Sequence, residues 1–189
     1  MVERILIAGS GGQGVVMIGK MLGTVAMHNF PYVTFFPSYG IEVRGGAARC
    51  EVVFSSEEIA SPISERFDTM ILMNGASVKL FLPLAHTETL LLVNGSLCSE
   101  PLPERACVVP ATELADGLGD TRAANLVMLG AYLRAKPFLP VQDVESEIER
   151  FFEKKETALA KLNLKAFQVG LTCGKAHETS SLLSVKNFA

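Results

Sequence analysis

Val2-Glu3-Arg4-Ile5-Leu6-Ile7-Ala8-Gly9-Ser10-Gly11-Gly12-Gln13-Gly14 decides how this chain begins to fold. The second half of residues 2–8 is continuously apolar, the composition of a strand buried on both faces of a sheet. A glycine cluster ends it, and residues 15–27 then carry apolar positions at helical spacing with no proline. A strand, a tight glycine turn and a helix form the opening unit. Gly9, Gly11 and Gly14 stand at GxGxxG spacing in that junction. Small residues there let a backbone approach a phosphate or pyrophosphate while helix N–H groups face the anion. The same absence of side chains serves a turn that packs the helix closely on the sheet. Both readings stay open, and the spacing by itself names no ligand.

Outward from this unit, residues 30–36 read as a second extended segment, and Cys50-Glu51-Val52-Val53-Phe54 lies within a strand over 47–55. Further strands are expected at 69–73, 88–93 and 106–109, with helices at 76–82, 111–118 and 121–134, an α/β arrangement. Residues 143–161 mix apolar and charged positions at the spacing of one surface helix, and 163–170 form another short helix. One α/β domain over 1–170 and a C-terminal tail over 171–189 follow. Between the second and third strands, Pro37-Ser38-Tyr39-Gly40-Ile41-Glu42-Val43-Arg44-Gly45-Gly46 reads as an ordered loop. Its Arg44 can grip phosphate or carboxylate with a planar fork, and Glu42 can orient it; a loop salt bridge or a subunit contact uses the same residues. Asn74-Gly75 and Asn94-Gly95 each follow a buried strand, as crevice-lining residues at strand carboxyl ends or as ordinary turns. Asn125 suits a buried helix, where it satisfies a backbone group or faces a subunit contact.

Composition removes several function classes. The chain has 189 residues and a net charge of -3 without a basic tract, which argues against a nucleic-acid partner. Its apolar runs stop far short of the roughly 20 residues that span a bilayer. With no signal-peptide pattern at the start, a cytoplasmic chain without membrane insertion is expected. Cys50, Cys98, Cys107 and Cys173 form no CxxC pair, and His28, His86 and His177 lack ligand spacing, so no metal site is assigned. Ser10 is not in a GxSxG elbow, so no catalytic residue is assigned either. Residues 31–39 contain no acid to engage ribose hydroxyls, which weighs against a free-standing dinucleotide dehydrogenase.

Several ordered motifs together carry a resemblance. They are Gly9-Ser10-Gly11-Gly12-Gln13-Gly14, the segment from Ser38 to Gly46, Ile59-Ala60-Ser61-Pro62, and Asn125-Leu126-Val127-Met128-Leu129-Gly130-Ala131, with 163–170 extending the pattern. The chain resembles the gamma subunit of the 2-oxoacid:ferredoxin oxidoreductases. The run from Tyr39 to Gly46, followed by Ala47-Ala48-Arg49-Cys50, is most similar to the 2-oxoglutarate branch, although Ile41 stands where relatives commonly have proline. For the fold, the resemblance implies a Rossmann-like sheet with flanking helices, like the catalytic domain of pyruvate:ferredoxin oxidoreductase gamma subunits.

For function, the resemblance implies a partner-dependent oxidoreductase. It decarboxylates 2-oxoglutarate to succinyl-CoA and carbon dioxide with coenzyme A as co-substrate, and passes electrons to ferredoxin. Thiamine diphosphate, magnesium and iron–sulfur clusters are expected in companion subunits, and little or no activity in the isolated chain. Gly11, Gly12, Gln13, Gly14 and Arg44 are the residues expected to bind cofactor or to hold the interface that closes its pocket. Two alternatives remain: a gamma subunit for another 2-oxoacid, branched-chain or indolepyruvate, and a non-redox nucleotide-binding assembly protein.

Overall fold

Strand β1 (Val2–Ser10) lies inside a six-stranded sheet ordered β2-β3-β1-β4-β5-β6. The structure, a computed structural model, describes residues 1–39, 47–153 and 157–173. Glu42, Arg44 and tail residues 174–189 lie outside them. After β1 come α1 (Val15–Asn29), β2 (Tyr32–Tyr39), β3 (Ala47–Ser55), β4 (Thr69–Leu72) and α2 (Gly75–Phe81). The chain continues with β5 (Leu90–Asn94), β6 (Cys107–Val109), α3 (Ala111–Gly117), α4 (Ala124–Ala135), α5 (Val141–Glu153) and α6 (Thr157–Thr172). Strands β1, β4, β5 and β6 run parallel, whereas β3 is antiparallel to both β1 and β2. The expected α/β layering with flanking helices is present, on a mixed sheet.

Alternation along β1 explains its apolar run. Ile5 and Ile7 enter the larger core with Val52, Phe54, Ile71 and Leu92, beneath α1 and α4. Leu6 and Ala8 enter the smaller core on the other face with Met70, Leu72, Val93 and the α2 residues Val78 and Phe81. Both faces of β1 are therefore dry, as its composition requires. Helix α1 lies close to β3 at Gly19, where a side chain would collide with Cys50 Sγ. Burial pushes the Cys50 thiol up to about 12, so it packs as a small apolar group and holds no nucleophilic thiolate at neutral pH.

Two segment expectations change. Pro37, Ser38 and Tyr39 belong to β2, opposite Cys50, Arg49 and Ala48, because pairing with β3 continues past the proline. An edge strand tolerates the missing N–H. The single helix expected over 143–161 is two, α5 ending at Glu153 and α6 starting at Thr157, with α6 absorbing the short helix at 163–170. Helices α5 and α6 pack on each other while α5 also meets α1 and α6 meets α4. One straight helix cannot fold back on itself, and periodicity within each half gives no sign of the reversal.

The contact between α4 and α6 is backbone against backbone. A Cβ at Gly130 would run into Phe167 O, with Leu171 N at 2.8 Å, and one at Gly170 would meet Val127 O and approach Gly130 Cα to 3.0 Å. Close to the start of the sheet, the buried carboxylate of Glu3 accepts a 2.6 Å hydrogen bond from Thr69 Oγ1 and two of 3.0 Å from Lys136 Nζ. Lys136 Nζ also donates to Asp68 O at 2.9 Å, so α4's end is tied to the starts of β1 and β4.

Candidate functional site

At the carboxyl ends of β1, β4 and β5 the connecting turns enclose a crevice of about 180 Å³. Gly12, Gln13, Met73, Thr112, Thr121 and Arg122 are among the residues that line it. This end of a parallel sheet is where connections diverge and leave room for a ligand. The glycines of the turn have different jobs. Gly12 has φ +94° with no atom near the position of a Cβ, so its backbone conformation, not crowding, calls for glycine. Gly14 has φ +69° and caps α1, and a Cβ there would collide with the Asn125 side-chain amide. Gly9 leaves space for Gln13 Oε1, which would lie 2.7 Å from its Cβ. Gly11 is exposed at the tip of the turn. Helix α1 has no side-chain cap and no acid in its first turn, so its N-terminal end carries no competing anion of its own.

Asparagine and glutamine amides organise the floor. Gln13 Oε1 accepts from Ser10 N and from Asn74 Nδ2, both at 2.7 Å, and Gln13 Nε2 donates to Met73 O at 3.3 Å. Asn74 also caps α2, accepting from Ser77 N at 2.8 Å in a capping box. Fully buried Asn94 donates to Met73 O at 3.2 Å and to Thr112 Oγ1 at 2.8 Å. Both Asn-Gly pairs thus stand at strand carboxyl ends as turns, while the crevice itself is lined by residues they adjoin or bond, Gln13, Met73 and Thr112. Asn125, 1% exposed, donates to Gly14 O at 3.3 Å, so it satisfies a backbone group of the glycine turn.

Arg122 was hidden within a segment read as a buried helix. Residues Thr121–Ala123 instead form one 3-10 turn before α4, capped by Asp120. The Arg122 Nε and Nη2 grip the Asp120 carboxylate at 2.7–3.0 Å, while the side chain stays 79% exposed at the crevice. These hydrogen bonds hold the Asp120 carboxyl below its ordinary value and raise the Arg122 guanidinium above its own. Asp120 takes up the Nε and Nη2 edge, and the two Nη1 hydrogens are left for a further anion contact. The available signal was Asp120-Thr121-Arg122 directly before a helix, an N-cap pattern with a basic residue two positions on.

Residues 4–173 match the family model described as Pyruvate ferredoxin/flavodoxin oxidoreductase. Over 178 residues the chain is 34% identical to the 2-oxoglutarate synthase subunit KorC of Methanothermobacter thermautotrophicus, covering 89% of this chain and 93% of that one. The chain belongs to the gamma-subunit family of the 2-oxoacid:ferredoxin oxidoreductases. It is also 33% identical over 169 residues to the ketoisovalerate oxidoreductase subunit VorA of the same organism, covering 88% of this chain and 35% of that subunit. The gamma-family chain therefore spans about a third of the length of that relative. Its fold is shared with the 2-oxoglutarate:ferredoxin oxidoreductase from Magnetococcus marinus, solved with 2-oxoglutarate, coenzyme A and succinyl-CoA bound. The TM-score is 0.83 at 23% identity, over 90% of this chain and 30% of that one.

Identities of 34% and 33% to subunits of two differently named oxidoreductases mark the family without singling out the 2-oxoglutarate branch. Among the described residues of this gamma-family chain, no three His, Cys, Asp or Glu side chains gather into a group able to hold a metal ion. No helix among the described residues is long and apolar enough to cross a membrane.

Proposed function

We propose that this chain is the gamma component of a cytoplasmic, multisubunit 2-oxoglutarate:ferredoxin oxidoreductase, and that its crevice holds an anionic part of coenzyme A. The reaction joins 2-oxoglutarate and coenzyme A into succinyl-CoA and carbon dioxide, with two electrons passed to ferredoxin. Companion subunits supply thiamine diphosphate, magnesium and iron–sulfur chemistry. The observation that carries this reading is that the glycine turn, within the family match, lines one crevice together with an exposed arginine. Coenzyme A bears phosphate groups, and Gly11, Gly12 and Gly14 present backbone to an anion at the start of α1. Arg44 is proposed as a second cationic contact on the strength of its motif.

Size favours a shared site. A crevice of about 180 Å³ falls below the roughly 300–1,000 Å³ of pockets that enclose a whole ligand of drug size. It fits a phosphate-bearing fragment, and a companion chain covers the remainder. The similarity to VorA supports a second reading, a branched-chain 2-oxoacid as substrate, with coenzyme A handled in the same way.

Native mass analysis of the complex purified through this chain tests the assembly. Companion chains carrying thiamine diphosphate and iron–sulfur clusters are expected, and a homo-oligomer lacking them would refute it. Steady-state turnover of that complex with 2-oxoglutarate and with 3-methyl-2-oxobutanoate then separates the two substrates. In the same complex, Arg122→Ala is expected to raise the KM for coenzyme A several-fold with kcat at saturation retained, because it removes a binding contact remote from the reacting carbon. Arg44→Ala is expected to lower coenzyme A use or complex stability; normal assembly with unchanged kinetics rejects both roles.

A further inference from the structure

We infer that Gln13 is a positioning residue: its side chain staples the glycine turn to the end of β4, and the main chain of the turn makes the anion contacts. This rests on the crevice being the coenzyme A site only for its effect on turnover, since the staple is formed without ligand. Gln13 lines the crevice, yet its carbonyl oxygen is committed elsewhere. Oε1 accepts from the Ser10 backbone N–H and from Asn74 Nδ2, both at 2.7 Å, which occupies both lone pairs. Turning that oxygen inward also removes from the crevice an acceptor that would repel an incoming phosphate.

The partners are themselves fixed. Asn74 Nδ2 spends its second hydrogen on Ser10 Oγ at 2.8 Å, and its Oδ1 is held by the first turn of α2. Gln13 Nε2 donates to Met73 O, the same oxygen that accepts from buried Asn94, and Asn94 is held in turn by Thr112 N and Oγ1. A run of amides therefore crosses from the glycine turn over β4 and β5 to the start of α3. Gly9 belongs to the device, since a Cβ there would stand 2.7 Å from Gln13 Oε1 and 2.8 Å from Met73 Cβ. The backbone closes the same turn through Gln13 N to Ser10 O at 3.1 Å.

The test compares Gln13→Met, which keeps length and removes every side-chain hydrogen bond, with Gln13→Glu, which keeps an acceptor for Ser10 N and Asn74 Nδ2 and loses only the donor to Met73 O. Amide hydrogen exchange is followed in the purified complex without coenzyme A, and the KM for coenzyme A is measured separately. Gln13→Met is expected to speed exchange at Ser10 and the following turn by about tenfold, the scale of one or two net hydrogen bonds, while Gln13→Glu retains protection. Unchanged exchange in Gln13→Met, with or without a higher KM, would overturn the staple and return Gln13 to direct ligand contact or to no role. Equal loss of protection in both variants would overturn the assignment of the acceptor oxygen. Faster exchange in Gln13→Met alone, with an unaltered KM, upholds the staple and removes coenzyme A from the crevice.

Discussion

Gly130→Ala is expected to lower the melting temperature by roughly 4–12 °C, read by calorimetry or circular dichroism on the full chain, given about 2–4 °C per kcal/mol in a chain of this length. The sign is not obvious, because alanine inside an exposed helix gains about 1 kcal/mol over glycine. Packing decides it. The new methyl group would enter the backbone of α6 at Phe167 O and Leu171 N, and backbone cannot rotate aside as a side chain does. Overpacking of a well-filled core commonly costs about 1–3 kcal/mol, occasionally more, and the absence of any flexible neighbour places this site at or above the top of that range. A net loss of about 2–3 kcal/mol remains after the propensity gain. Gly170→Ala meets Val127 O and C from the other side and is expected to match it. Gly117→Ala serves as the control: nothing lies within 4 Å of its Cβ position, so that variant is expected to be neutral or slightly more stable.

Lys136→Met is expected to destabilise the chain by about 3 kcal/mol at neutral pH, the lower end of what removal of one partner from a buried ion pair costs. The lower end applies because the lysine side chain is 21% exposed, against 3% for Glu3. Burial raises the Glu3 carboxyl above its ordinary 4.5, against the opposing pull of the Thr69 hydroxyl and then Lys136. A carboxyl raised in the folded state binds more protons folded than unfolded. Its contribution is therefore full below about 4.5 and is lost as pH rises through the raised value. Without Lys136 that value moves higher still, so the penalty grows toward neutral pH and shrinks as Glu3 becomes protonated in both states. Thermal melts of both proteins at neutral pH and near pH 4.5 check this. A gap that stays constant or widens on acidification would show that Lys136 acts through packing and not through the Glu3 charge.

The parts that sequence made legible were those whose cause is local. Continuous burial of residues 5–8 showed in their apolar run, the turn in its glycines, and the ends of β4 and β5 in Asn74-Gly75 and Asn94-Gly95. The insertion of antiparallel β3 between β1 and β2 was not legible, because pairing across tens of residues leaves no mark on either strand's periodicity. The split between α5 and α6 escaped for a similar reason. At the candidate site, Gln13 was singled out for a ligand contact, whereas its side-chain hydrogen bonds to Ser10 and Asn74 lie within the protein. Asn125 was read as satisfying a backbone group or facing a subunit contact, and the group it satisfies, Gly14 O, is 111 positions away. Thr112 carried no motif and Arg122 only an N-cap pattern before it, and only folding brings them to the crevice that Gly12 lines.

The two margins of the sheet are built to resist aggregation. On one side β2 is an edge strand containing Pro37, which cannot offer an N–H to an incoming strand. On the other, β6 is three residues long, too short a rail for a foreign chain to lengthen. Blunted edges deny copies of this chain a rail for a growing cross-strand stack, even while Tyr32 and Phe36 on β2 stay 42% and 38% exposed.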